Sequence, residues 1–232
     1  MKLKTKLKKL RRSLVKFFVV IVVGLFALSV LLVLPWRWLP PPTSAFMLQD
    51  RWHSGKPIAQ QWLPMAQIAP ALAIAVVASE DQKFPHHYGF DFKALSQAIQ
   101  ENRQRRRGAS TITQQLAKNL YLWPGRSLAR KALEAYFTVL IELTWSKQRI
   151  LEVYLNVVEF GPQIYGTGAA SQKIFRKPAA AITAREAALM AAVLPNPKRL
   201  LLARPSGYVL QRGAQIEASV RSLGGAAYLK GM

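Results

Sequence analysis

Gly108-Ala109-Ser110-Thr111-Ile112-Thr113-Gln114-Gln115-Leu116-Ala117-Lys118-Asn119 is the stretch on which the rest of the chain turns. Ser110 can cap a helix running through Leu120. On that helix Thr111, Gln114, Gln115 and Lys118 fall at i, i+3, i+4 and i+7, all on one face. A solvated face normally mixes both charge signs. A stripe of hydroxyls and amides with a single ammonium suits instead a cleft lining that must hydrogen-bond many hydroxyl groups, as a sugar presents.

The neighbouring segments are helical too. Ala66 to Ser79 is an apolar, Ala-rich run ending in Glu80-Asp81, and Asp91 is a plausible N-cap for a helix to about Arg103. Ser127 can cap a helix through about Trp145, and Ile150, Leu151, Tyr154, Leu155 and Val158 make an apolar stripe at helical spacing. Thr183-Ala184-Arg185-Glu186 is a capping box opening an Ala/Leu-rich helix that stops at Pro195. Strand signals are few and short, so the expected fold class is all-α.

The 232 residues allow one or two modest domains. A net charge of +22 implies an anionic partner: nucleic acid, an anionic membrane surface or a phosphorylated substrate. A hydrophobic fraction of 51% excludes a disordered polycation, and the absence of cysteine excludes disulfide scaffolds, zinc-thiolate sites and thiol nucleophiles. Residues 1–16 hold eight basic side chains and no acid. Phe17 to Leu34 then runs for eighteen residues without a charge, with Trp36 and Trp38 as an aromatic flank. That reads as a basic cytoplasmic tail (1–16), one membrane-spanning helix (17–38), a stiff proline-bearing linker (39–60) and an external domain (61–232). A cleaved signal peptide is the alternative, but the apolar run is long for one and no A-x-A-like site follows it. Without the tail the chain keeps a net +14, an anion preference of its own.

Only eleven acids are present, so each can be weighed. Asp50, Asp91, Glu101 and Glu217 sit in linker, cap or solvent-facing contexts, and Glu186 belongs to its capping box. Glu142, Glu152 and Glu159 lie in polar intervals of amphipathic helices, where a solvated or ion-paired role is the default. Glu80 follows a long apolar run and precedes Asp81. Burial plus a like charge would raise a carboxyl there toward proton-transfer range, although the pair could simply end a helix. Among the cations, Arg103 and Arg105-Arg106-Arg107 read as a solvated or headgroup-facing loop. Arg126, Arg130 and Lys131 cluster near Glu134, with Arg130 and Glu134 at i, i+4. That spacing is often just an ion pair, yet several fixed cations beside an uncharged polar stripe also describe a diphosphate pocket.

At these positions the sequence resembles glycosyltransferase family 51, the peptidoglycan glycosyltransferases. Glu80-Asp81-x-x-Phe84-x-x-His87-x-Gly89 is similar to the family's first signature, and residues 108–119 to its second. Arg130-Lys131-x-x-Glu134 fits the third. Lys147-x-x-Ile150-Leu151-Glu152-x-Tyr154-Leu155-Asn156 with Gly161 fits the fourth, and Ala187 to Pro197 the fifth. The match runs in the family's order over about residues 64–200. Two departures, Ile174-Phe175-Arg176 for a common Tyr-Phe-Gly and Thr138 for a frequent Ala, touch packing more than chemistry.

The resemblance implies a lysozyme-like all-α domain with a smaller membrane-associated subdomain, anchored in a bacterial inner membrane with the catalytic domain periplasmic. The implied reaction joins lipid II units into β-1,4-linked glycan strands with a single inversion. Carried over, Glu80 is the general base on the acceptor's 4-hydroxyl, and Lys118 and Arg126 hold the donor pyrophosphate with Arg130 near them. Glu134 is the second essential carboxylate, Asp81 supports Glu80, and Ser110, Thr111, Gln114 and Gln115 line the cleft. No cofactor or protein metal site is implied; His53, His86 and His87 form no ligand set, and His87 is expected to brace the Glu80 loop. A divalent cation (Mg or Mn) bridging the pyrophosphate is compatible with the scheme. The partners implied are lipid II, the growing strand and the membrane, with other cell-wall synthesis proteins as candidates and no nucleic acid. No Ser-x-x-Lys with K-T-G appears in the external part, so the chain reads as monofunctional. Two rival classes remain: a lysozyme-like glycan-cleaving enzyme with paired carboxylates, and a non-enzymatic basic binding protein at the membrane.

Overall fold

The computed structural model describes residues 2–93, 96 and 110–232, the first eight of these by backbone alone. The helix expected from Asp91 to Arg103 and the cluster Arg103, Arg105–Arg107 fall largely or wholly outside the described residues. The chain divides into two compact units, Met1–Leu39 and Pro40–Met232.

In the first unit the basic tail and the apolar run form one continuous helix, α1 (Lys2–Val33), followed by a 3-10 turn at Leu34–Arg37. Nothing in the sequence stops it earlier: no glycine or proline interrupts residues 2–23, and Gly24 alone costs too little to break a long helix. Residues Leu10–Arg37 are long and apolar enough to cross a membrane. Phe17, Phe18, Val20, Leu25 and Leu31 are exposed along it, as side chains meeting lipid would be.

The second unit begins earlier than the sequence suggested. Part of the expected linker is a helix, α2 (Ala45–Ser54), capped by Ser44, whose hydroxyl accepts Met47 N–H, and closed by Gly55 in the left-handed region. Asp50, expected in a linker context, is buried: Oδ1 pairs with Lys198 at 2.5 Å and Oδ2 accepts the Tyr165 hydroxyl at 3.2 Å. The short polar helix has little hydrophobic pattern of its own. Partners more than a hundred residues away pull it into the body.

At the centre lies α3 (Pro70–Glu80), whose residues Leu72 to Ala78 are all buried. Pro70 starts it where no intrahelical N–H is needed. Burying Leu72, Ile74, Val76 and Val77 contributes about 1.5–3 kcal/mol each. Small residues on either side let neighbours approach closely. Around α3 pack α8 (Ala184–Val193), opened by the Thr183–Glu186 capping box, and α9 (Gly207–Ser222).

A second helical group stands at the C-terminal end of α3. There α4 (Ile112–Tyr121) packs on α5 (Leu128–Thr144), capped by Ser127, and on α6 (Lys147–Val157), capped by Ser146. A short α7 (Gly166–Ala170) runs on into a π-helical turn. The all-α class stands. Three strands of two or three residues were not foreseen: β1 (Ala59–Gln60), β2 (Glu159–Gly161) and β3 (Ile164–Tyr165). They form a sheet of order β1-β3-β2, parallel on one side of β3 and antiparallel on the other. Segments this short show no period to read. Asn156 locks the sheet region to α6, donating to Leu63 O and accepting Leu63 N–H, both at 2.8 Å. Gly166, at φ +77°, passes so close to Asn156 O that a Cβ would sit 2.5 Å from it.

Candidate active site

Glu80 is the last residue of α3, and Asp81 makes the turn away from it. The buried Asp81 carboxylate joins three segments. Its Oδ2 accepts the Ile112 N–H at 3.0 Å, at the start of α4, and both oxygens face His87 Nε2 at 2.9 and 3.0 Å. A carboxylate only accepts, so Nε2 carries the proton. His87 thus braces this loop, and Asp81 fixes where the Glu80 turn meets the polar helix.

The start of α4 corrects one expectation. Thr111, not Ser110, is the N-cap: its hydroxyl accepts Gln114 N–H, and the Gln114 amide oxygen accepts Thr111 N–H at 3.0 Å. Thr has the extended backbone a cap requires and a Gln three residues on to complete the box, which Ser110 lacks. The Thr111 hydroxyl also donates to Gly89 O at 2.7 Å. The Thr111 hydroxyl is therefore taken up by the cap and by Gly89 O, and the Gln114 amide oxygen by the box. Gly89, at φ +80°, lies against α5, where a Cβ would come 2.6 Å from Thr138 Cγ2, so only glycine fits the signature's last position.

Gln115 and Lys118 are the members of the stripe that act on Glu80. Gln115 Nε2 donates to Glu80 Oε2 at 2.9 Å, and Ser79 Oγ donates to Glu80 Oε1 at 3.2 Å. Both are neutral donors. Burial pushes the Glu80 carboxyl up from its ordinary range, opposed by those two hydrogen bonds and by the charges of Arg212 and Lys118. A cavity of about 300 Å³ opens on Glu80, Asp81, Ser110 and Thr111, with Arg212 and Ser219 of α9 on its far wall. Arg212 and Ser219 lie beyond the signatures, and no local pattern marks them.

On the other side Glu134, 3% exposed, is clamped by cations. Arg130 Nη1 donates to its Oε2 at 2.8 Å, and Lys131 Nζ bonds its Oε1. Lys118 stands between the two carboxylates: burial lowers its proton affinity, Glu134 and Glu80 raise it, and Arg130 and Lys131 lower it. Its ammonium is 5.5 Å from the centre of the Phe46 ring. Arg126 is exposed in the loop between α4 and α5 and makes no hydrogen bond or ion pair among the described residues. The structure brings Glu80, Gln115, Lys118, Glu134 and Arg130 together and leaves Arg126 at the rim.

Other signature residues prove to be internal ties. Glu142 accepts the Thr113 hydroxyl at 2.5 Å and pairs with Lys147 at 2.8 Å, whose ammonium lies 4.6 Å from the centre of the Phe84 ring. Glu152 accepts Met65 N–H and pairs with Arg149. A polar cleft between a proton acceptor and a row of cations suits transfer from an anionic leaving group. It suits paired-carboxylate hydrolysis poorly, because Glu134 is engaged by two cations and not free to activate water.

Comparison with known proteins agrees. The transglycosylase family profile matches residues 49–220. The chain is 51% identical over 211 residues to the biosynthetic peptidoglycan transglycosylase of Pseudomonas syringae pv. syringae, covering 88% of this chain and 89% of that protein. To the protein of the same name from Stutzerimonas stutzeri it is 51% identical over 213 residues, covering 89% and 88%. To that of Pectobacterium carotovorum it is 48% identical over 230 residues, covering 95% and 93%.

Proposed function

This chain belongs to the transglycosylase family, and from that footing we propose that Glu80 is the general base of a lipid II polymerase whose leaving group is received by Lys118 and Arg130. The enzyme is a peptidoglycan glycosyltransferase of all-α, lysozyme-like fold, and lipid II is its substrate. The acceptor's 4-hydroxyl gives its proton to Glu80 as its oxygen bonds to the donor's anomeric carbon. The bond from that carbon to the pyrophosphate oxygen breaks, and the electron pair leaves with the polyprenyl pyrophosphate. One displacement turns an α-linked donor into a β-linked product, so no covalent enzyme intermediate is involved.

The observation that carries this reading is the contrast in partners. Glu80 is bonded by an amide and a hydroxyl and by no cation, and burial raises its proton affinity. Lys118 lies toward a second carboxylate that gathers Arg130 and Lys131. The buried Nε–H of Arg130 has no partner among the described residues, which leaves a donor for a phosphate oxygen. Glu134 orders these cations and carries no proton in the reaction. Arg126, exposed beside them, reaches the pyrophosphate once substrate fills the cleft. Ser110, in the wall of the Glu80 cavity, contacts the acceptor sugar.

Side-chain cations supply the positive charge, so polymerisation proceeds without a cofactor, and activity in excess chelator tests this. The basic end of α1 stays cytoplasmic and the second unit works at the outer face of the membrane, where lipid-linked donor and acceptor meet at raised effective concentration. The deciding experiment is incubation of the full chain with lipid II, sizing of the glycan, and repetition with Glu80→Gln. Glycan strands from the wild type and none from the variant support the assignment. Near wild-type turnover by the variant removes Glu80 from the base role.

A further inference from the structure

Two hydrogen bonds place a residue of the fourth signature behind the base. Gln115 Nε2 faces Glu80 Oε2 at 2.9 Å and the Ser110 carbonyl oxygen at 3.4 Å. Both are acceptors only, so the amide NH₂ must point to them and the amide oxygen must point the other way. There it meets the Tyr154 hydroxyl at 2.9 Å, which must donate. Tyr154 is 0% exposed on α6. Burial, with Glu80 and Asp81 nearby, holds its phenol well above the ordinary range, so the hydroxyl keeps its proton at every pH at which the enzyme works.

We propose that Tyr154 is a positioning residue for glycosyl transfer: by donating to the Gln115 oxygen it locks that amide with its N–H toward Glu80, and so sets the orientation in which the carboxylate meets the acceptor hydroxyl. The proposal rests on Glu80 being the base. A phenylalanine at 154 would fill the core equally well. What the hydroxyl adds is direction, since an unpinned amide can rotate and present its oxygen to the carboxylate, turning an attraction into a repulsion.

The consequence is readable in pH dependence. A neutral donor on a carboxylate favours the ionised form, so losing the Gln115 bond raises the Glu80 proton affinity beyond what burial already does. Among the described residues, the other charged and titratable groups facing Glu80 are Lys118 of α4, Arg212 of α9 and the adjoining Asp81, with the Lys83–Asp91 pair on the cavity wall. The buried face of α8 is apolar. None of these groups bonds the Tyr154 hydroxyl, so replacing it leaves their charges in place.

The test is the pH profile of kcat/KM for lipid II polymerisation by the full chain. The variants are Tyr154→Phe, Gln115→Leu, both together, and Glu80→Gln. The acid limb of Tyr154→Phe should move up by about half a unit to one unit, costing about three- to tenfold at pH values below the limb. Gln115→Leu should move it at least as far, and the double variant no further than Gln115→Leu alone. An unmoved limb in Tyr154→Phe, including a rate lowered equally at all pH values, overturns the proposal, as does an additive shift in the double variant. If Tyr154→Phe does not fold, Gln115→Leu decides, and an unmoved limb there overturns it. Glu80→Gln separates the two ideas. Activity in that variant sinks the base assignment, whereas an inactive Glu80→Gln with an unmoved Tyr154→Phe limb sinks only the relay.

Discussion

Glu80 and Glu134 are the same residue type, both act on the charge of Lys118, and their surroundings are opposite. Glu80 receives hydrogen bonds from an amide and a hydroxyl and feels Lys118 and Arg212 only through space. Glu134 is bonded to a guanidinium and an ammonium and is almost without solvent contact. Burial raises the proton affinity of Glu80, whose bonded partners are neutral, whereas both Glu134 oxygens are taken by cations. Partners, not residue type, set the two carboxylates apart.

The contrast breaks most directly at Glu80. Glu80→Gln should lower polymerisation by about a thousandfold or more, with unfolding temperature little changed, as measured by product gels and circular dichroism. Glu134→Gln should cost about a hundredfold, because Arg130 and Lys131 lose their anchor, yet its acid limb should coincide with that of the wild type. A shifted limb would mean that Glu134 exchanges the critical proton, and the contrast would fail. Lys118→Ala should reduce kcat/KM by about ten- to a hundredfold, and inhibition by added pyrophosphate should weaken with it.

The wild-type pH profile sharpens the same point. Burial raises the folded-state proton affinity of Glu80, so activity should fall as pH drops through a value above the ordinary glutamate range of about 4.3. The smallest effect is expected at Glu159, whose carboxyl burial pushes up to about 7, mainly by desolvation and despite Lys198. Its folded-state value lies above its unfolded one. The stability cost of its charge therefore builds as pH rises between about 4.5 and 7 and persists above. Glu159→Gln should stabilise the protein by about 2 kcal/mol at pH 8 and leave it unchanged near pH 4, by thermal unfolding. Raised proton affinity alone therefore does not mark a base. Glu159 faces Lys198 and the Asp50 carboxylate, and it does not line the cavity that opens on Glu80.

Helices with strong caps were legible. Ser127 and the Thr183–Glu186 box open helices where the residue pattern placed them, and α3 takes up the Ala66–Ser79 run from Pro70 onward and ends one residue past it, at Glu80. The cap of α4 fell one residue later than read, because a capping box depends on the residue three positions on as well as on the cap. What stayed hidden depends on distant partners. Asp50 becomes buried through Lys198 and Tyr165, and the sheet forms from strands too short to carry a period. The polar stripe on α4 was visible as a stripe. That Thr111 and Gln114 turn inward to the backbone, leaving Gln115 and Lys118 to the cleft, is set by hydrogen bonds a helical wheel does not contain. Arg212 and Tyr154 join Glu80 from 132 and 74 residues downstream, a juxtaposition made by packing alone.

The position of α9 has a consequence for biosynthesis. A chain emerging from the ribosome carries Glu80, Lys118 and Arg130 well before residues 207–222 exist. Until that helix docks on α3, one wall of the cavity beside Glu80 is missing and Arg212 is absent from it. Order of synthesis thus makes this cavity one of the last parts of the fold to be completed.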